Sequence, residues 1–159
     1  MGKNRKGEIK ISLLILNFPW LLFSWSIFRL QMFVSRENRV DEVVKNHIYI
    51  ASRPLGGFNY EPYDLVLDLT AEFLKDSVES SRYVCYANLD AMPLSQSYES
   101  VEQFKNKKIV VHCANGHGRS ALFVARLLVD LELVESFEEG LALVKTHRPL
   151  AVPNGVQYK

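Results

Sequence analysis

Cys113 and Arg119 bracket five residues in the stretch His112-Cys113-Ala114-Asn115-Gly116-His117-Gly118-Arg119-Ser120. A cysteine becomes a strong nucleophile as its thiolate, and a planar guanidinium binds two anion oxygens at once. An apolar, β-branched run (Ile109 to Val111) precedes the stretch, and an apolar helical run (Ala121 to Leu133) follows it. A strand–loop–helix of this kind turns backbone N–H groups and the positive end of a helix dipole into the loop, making an anion site. The field that holds an anion there also favours a thiolate. Nucleophile, cradle and bidentate cation together point to phosphoryl transfer through a cysteine.

The flanking chain must supply the frame. His47 to Ile50, Asp64 to Leu69 and Arg82 to Leu89 have the composition of strands. The second is almost continuously apolar, as suits a sheet covered on both faces. Arg53-Pro54 and Gly56-Gly57 stop the first strand, and Thr70 to Ser80 is expected to be loop and short helix. Gln96 to Lys105 places Tyr98, Val101 and Phe104 at spacings of three and predicts a helix. Phe137 to Thr146 predicts a last amphipathic helix, ended by Arg148-Pro149. Strands alternating with helices predict an α/β fold: a central sheet with parallel pairs, flanked by helices. Ligands in such sheets bind at the carboxyl ends of strands, where the Cys113 loop lies.

At 159 residues the chain suits one domain of ordinary size. Lys plus Arg (19) nearly balances Asp plus Glu (18), so no bulk field argues for nucleic acid. Cys85 and Cys113 form neither a metal-ligand pattern nor a disulfide framework, and no metal or cofactor is expected. A nucleophilic Cys113 must stay reduced, which favours a reducing compartment.

Residues 1–10 form a basic flank. From Ile11 to Phe28 there is no charge, and apolar character resumes after Arg29 up to Val34. Eighteen uncharged residues reach roughly 27 Å as a helix, close to the thickness of a hydrocarbon core. Residues 11–34 are therefore expected to be a single transmembrane helix, with an interfacial helix or hairpin as the alternative. The expected order is flank (1–10), membrane helix (11–34), linker (35–46) and catalytic domain (47–159). Four Lys or Arg residues lie on each side of the span, so positive-inside counting does not orient it. The reduced cysteine favours a single-pass protein with its catalytic domain in the cytoplasm.

His112, Cys113, Gly116, Arg119 and Ser120 make His-Cys-x-x-Gly-x-x-Arg-Ser, which resembles the signature of the cysteine-dependent protein tyrosine phosphatases. Tyr86 to Ser95 resembles the acid loop of the dual-specificity type, except that Pro93 comes one residue early and Leu94 separates it from Ser95. His47 to Pro54 and Leu65 to Glu72 are similar to the first two strands of small bacterial members. His147-Arg148-Pro149 with Pro153, Asn154 and Gln157 resembles their late segment, which braces the phosphate loop. The likeness covers residues 43–158.

The resemblance implies a dual-specificity-phosphatase-like fold and hydrolysis of phosphate monoesters through a cysteinyl-phosphate. Cys113 would be the nucleophile, and Ala114, Asn115, Gly116, His117, Gly118 and Arg119 would hold the phosphate with it. Asp90, on a loop just past a strand, would protonate the leaving oxygen and later take a proton from water. Asp68, inside an apolar strand, is the second candidate acid. His112 would be oriented by backbone and help set the thiolate. Ser120 would hydrogen-bond the thiolate, or else cap the helix. Gly116 and Gly118 would supply backbone conformations closed to other residues. His117 points either to solvent or to substrate.

The loop interior, Ala-Asn-Gly-His-Gly, holds no fixed cation, which argues against an inositol polyphosphate. An anchor near lipid headgroups argues the other way. The expected partner is thus a phosphorylated protein (phosphotyrosine, phosphoserine or phosphothreonine), with a phospholipid such as phosphatidylglycerophosphate or a phosphoinositide as the alternative. From other classes come a membrane-tethered phosphate-binding pseudo-phosphatase and a rhodanese-like or arsenate-reductase-like sulfur enzyme.

Overall fold

Every residue of Leu65-Val-Leu-Asp-Leu-Thr70 is buried, as its apolar character requires of a strand covered on both sides. The computed structural model describes residues 2–35, 37–53, 58–79, 82–90, 92 and 98–153, and sets this strand in a five-stranded sheet. In chain order the strands are β1 (Val40–Val44), β2 (Ile48–Ala51), β3 (Leu65–Thr70), β4 (Tyr83–Asn88) and β5 (Ile109–His112). Their spatial order is β1-β2-β5-β3-β4. The last four in that order run parallel, and β1 is an antiparallel edge. The sheet is therefore mixed. β5 forms last in sequence yet lies in the middle, with Val111 paired to Ile50 on one side and Leu67 on the other.

Helices α3 (Arg119–Asp130) and α4 (Phe137–His147) cover one face of the sheet. α3 brings Ala121, Phe123, Val124, Leu127 and Leu128 into the larger core. α4 starts where Ser136 Oγ accepts from the backbone N–H of Glu139, while the Glu139 carboxylate accepts from the N–H of Glu135. Tyr60, Tyr63, Val66, Tyr83, Cys85 and Val110 form a smaller cluster on the other face.

Four expectations are corrected here. Among the described residues, no helix is long and apolar enough to cross a membrane. The apolar stretch is instead α1 (Ile11–Leu16) and α2 (Phe18–Val34), broken at Asn17. Asn17 leaves helical geometry, its side-chain amide bonds back to Leu13 O at 2.8 Å, and Pro19 lies in the first turn of the next helix. The predicted helix over Gln96 to Lys105 is a single 3-10 turn, Val101–Phe104, with residues 93–97 outside the described set. Ser100 starts that turn by accepting from Glu102 N, and Asn106, at φ 57°, follows its end. Third, the expected linker contains β1. Its Asp41 and Glu42 hide the strand pattern: Glu42 faces solvent, while Asp41, on the opposite side, accepts from the buried Arg148. No short helix forms among the described residues of Thr70 to Ser80, and Pro54, Gly56, Gly57, Asn154 and Gln157 lie outside the described set.

Both ends of the N-terminal helix pair are tied to the sheet domain. Lys3 Nζ pairs with Asp68 Oδ2 at 2.6 Å, both side chains fully buried. At the other end the Phe28 ring packs edge-on to Phe73, and Trp25 Nε1 donates to Glu72 O. Asp68 also accepts from the Tyr83 hydroxyl and from Thr70 N and Oγ1. Burial works against an ionised Asp68. The neighbouring His112 and Lys3, with the hydrogen bonds from Lys3 and Tyr83, outweigh it and hold the carboxyl below the usual range. A carboxylate satisfied on all sides inside the sheet is a poor proton donor, so this second candidate acid is structural.

Candidate active site

β5 ends at His112, and the chain enters the loop 113–118 before α3 begins at Arg119. The loop folds over the cysteine: Gly116 N donates to Cys113 Sγ at 3.2 Å. Gly116 makes that turn at φ 75°, and an added Cβ would lie 2.7 Å from the Ala51 carbonyl oxygen. Gly116→Ala is therefore expected to open the cradle and cost roughly 2 kcal/mol or more, measured as weaker phosphate binding and a lower Tm. Gly118 differs from the expectation. At φ −92° it requires no glycine, and it serves as the residue before the first helical turn.

Cys113 and Cys85 are both buried, but they sit in different settings. The Cys85 thiol is pushed up to about 12 by burial and by Asp68, which leaves it unreactive at neutral pH. Cys113 feels the charge of Arg119 and the loop N–H of Gly116. His112 is buried beside it, its Nδ1 donating to Cys113 O at 3.4 Å, the backbone orientation expected of it. Burial lowers its pKa against the pull of Asp68. Ser120 is buried in the first turn of α3, and its hydroxyl has no hydrogen-bond partner among the described residues. It does not cap the helix, a position held by Gly118.

Arg119 is fully buried and held by a residue the sequence reading did not assign to the site. Glu72, just beyond β3, accepts from Nη2 at 2.7 Å and from Nη1 at 2.9 Å. Asn88 O, at the end of β4, accepts from Nη1 at 2.8 Å. Burial opposes the guanidinium charge, but Glu72 outweighs it and raises the pKa further above its ordinary value. Glu72 and Asn88 thus take the end-on edge of the guanidinium. Its side-on edge keeps the Nε hydrogen and one Nη2 hydrogen, and Nε has no hydrogen-bond partner among the described residues. Two parallel N–H groups on that edge can take two phosphate oxygens. Asp90 Oδ1 stands 3.4 Å from this Nε, on a side chain 72% exposed. The structure thus brings Asp90 to the anion-binding edge. Ala91, Pro93, Leu94 and Ser95 of its loop lie outside the described residues.

The loop is also braced from the side. Arg148, after α4, donates from Nη2 to Asn115 O and from Nη1 to Asp41 Oδ2 and Asn38 O. Asn115 Nδ2 donates to Gln31 Oε1 of α2 at 2.9 Å. His117 Nε2 donates to Glu37 Oε2 at 2.6 Å, so His117 points neither to bulk solvent nor into the phosphate cradle. Between α2 and the acid loop lies a cleft of about 700 Å³, walled by Trp20, Phe23, Ile27, Phe28, Phe73, Leu89 and Met92. Asp90, Glu72, Ala114 and Asn115 also line it, so the apolar cleft is continuous with the phosphate loop.

Glu72 had one legible signal, a carboxylate at the carboxyl end of a buried parallel strand. Gln31, Glu37 and Asp41 had none. They come from segments expected to be membrane helix and linker.

A cysteine at the base of a glycine-bent cradle, with a buried arginine presenting one free edge, defines a cysteine-based phosphatase. The protein-tyrosine phosphatase family model matches residues 82–159. No curated protein sequence matches the chain. Among solved structures it is similar to human DUSP28, with 14% identity, TM-score 0.59, and coverage of 76% of this chain and 88% of that one. It is also similar to PTPMT1 in complex with PI(5)P, with 15% identity, TM-score 0.57, and coverage of 76% and 90%. A third is Tk-PTP in the active form, with 21% identity, TM-score 0.54, and coverage of 76% and 91%. These likenesses show the fold, that of the dual-specificity-type phosphatases.

Proposed function

We propose that this chain hydrolyses phosphate monoesters through a cysteinyl-phosphate, with Cys113, Arg119 and Asp90 acting on one phosphate. The free edge of Arg119, with Asp90 beside it, carries this reading. In the first step the Cys113 thiolate attacks phosphorus, the S–P bond forms, and the bond to the leaving oxygen breaks as that oxygen takes the Asp90 proton. In the second step Asp90 takes a proton from water, the water oxygen bonds to phosphorus, and the S–P bond breaks to return the thiolate. The buried Ser120 hydroxyl, free of other partners among the described residues, suits the role of stabilising that thiolate. A pseudo-phosphatase is disfavoured because nucleophile, arginine and acid are all in place.

Dual-specificity action on phosphoproteins fits the exposed Asp90 side chain. The apolar cleft favours the second substrate class, a phospholipid monoester. Among the described residues its lining holds no Lys or Arg, so extra phosphates on a headgroup would lack partners there, whereas a hydrocarbon or aryl group would bury apolar surface. PTPMT1, whose structure holds PI(5)P, shares the fold. The deciding measurement is turnover of a phosphopeptide panel beside phosphatidylglycerophosphate, phosphoinositides and an aryl phosphate; no turnover of any monoester would overturn the reading. Within the same assay Asp90→Asn is expected to slow alkyl phosphates by about 100-fold and aryl phosphates much less. Equal losses on both would remove Asp90 as the proton donor.

A further inference from the structure

Helix α2 is apolar on two faces, but only one of them is packed. Leu21 and Phe28 are buried, and Trp25 between them bonds into the domain. Their spacing draws a single stripe along the helix. Outside it, Phe33 is 88% exposed and Leu16 of α1 77%, and Ile11, Ile15, Phe18 and Leu22 also face solvent. Soluble surfaces scatter such residues singly; this many on one helix pair call for a partner.

Three observations identify the partner chemistry. No carboxylate occurs from Ile9 to Arg36, while Lys6, Lys10 and Arg29 are all exposed. An apolar ledge that itself carries Lys10 and Arg29 and no carboxylate, with Glu8 and Glu37 only at its ends, complements an anionic bilayer surface, where apolar side chains enter the acyl boundary and cations meet headgroups. Next, the ledge adjoins the catalytic cleft. Trp20 and Phe23 are exposed and also line the cleft that reaches Asp90 and Asn115. Last, both ends of the helix pair are fixed to the same domain, by Lys3–Asp68 before α1 and by Phe28–Phe73 and Gln31–Asn115 at α2. A segment tied at both ends to one domain can lie along a membrane and cannot thread through it.

We infer that α1 and α2 form an in-plane docking surface for an anionic lipid bilayer and set the mouth of the catalytic cleft at the headgroups. The inference relies on the phosphatase reading only for what the cleft does, and docking is measured without turnover.

The experiment is co-sedimentation of the full chain with vesicles of phosphatidylcholine alone and with about a third phosphatidylglycerol. Binding is expected to be about tenfold or more tighter to the anionic vesicles and to weaken with salt. Ile15→Ser, Leu16→Ser and Phe33→Ser together, all outside the cleft, should weaken binding about tenfold or more while leaving aryl phosphate turnover unchanged. Lys6→Glu with Lys10→Glu should abolish the preference for anionic lipid.

Absence of vesicle binding, equal binding to both vesicle types, or wild-type binding by the triple variant would each overturn the inference. So would a concentration-dependent dimer that covers the ledge and does not bind vesicles. A chain that binds vesicles yet turns over no monoester would leave the docking surface standing and remove the phosphatase reading instead.

Discussion

Cys113→Ser is expected to lower aryl phosphate hydrolysis by ~10⁴-fold or more while the loop still binds phosphate or vanadate. The two outcomes separate because they depend on different atoms. Binding uses the loop N–H groups and the free edge of Arg119, which the substitution leaves in place. Attack needs an ionised nucleophile. A serine hydroxyl at this position has no base to remove its proton, because the neighbouring imidazole, His112, donates from Nδ1 to Cys113 O and is buried. Turnover with a burst of aryl alcohol and vanadate binding by calorimetry check the two halves. A Ser variant that keeps turnover would end the covalent mechanism.

The second large effect is expected at Glu72. Its carboxylate makes both end-on bonds to a guanidinium that is otherwise closed off from water. Glu72→Ala leaves that charge buried with carbonyl acceptors and the exposed Asp90 carboxylate at the other edge, a change that costs ~3–5 kcal/mol. It should show as a large fall in Tm. Glu72→Gln tests positioning apart from stability, since the amide keeps an acceptor and the shape but loses the charge and one of the two acceptors. With the guanidinium free to rotate, the Nε edge is no longer aimed, and kcat is expected to fall roughly 100-fold. Restoration by Glu72→Asp in kcat but not in Tm, or the reverse, would separate the two roles. Unchanged kcat in the Gln variant would show that Glu72 only fills space.

The chemistry of this site was legible because it is local. Cys113, Gly116 and Arg119 lie within seven residues, and a strand and a helix flank them in patterns that survive in the fold. The parallel strands were legible for the same reason: Leu65 to Thr70 is apolar throughout because both sides are covered. What was hidden depends on partners distant in sequence. Glu72 meets Arg119 across 47 residues, and Glu37 meets His117 across 80. The apolar N-terminus misled because hydropathy measures how much surface avoids water and says nothing of where it goes. Asn17 and Pro19 were visible interruptions, and they mark the break between α1 and α2. β1 went unseen because Asp41 and Glu42 put a charge on each side of the strand.

Arg148 gives the catalytic loop a place in the order of folding. It joins Asp41 to Asn115 O, contacts separated by 107 and 33 residues. Closing such long loops carries an entropy cost that local pieces avoid, so α3 and the β1–β2 hairpin can form before the brace does. A chain emerging from synthesis has its cysteine and Arg119 well before Arg148 is available. The nucleophile of the nascent chain therefore stays without its finished cradle until the segment after α4 arrives, and catalytic competence is expected to be among the last properties gained on refolding.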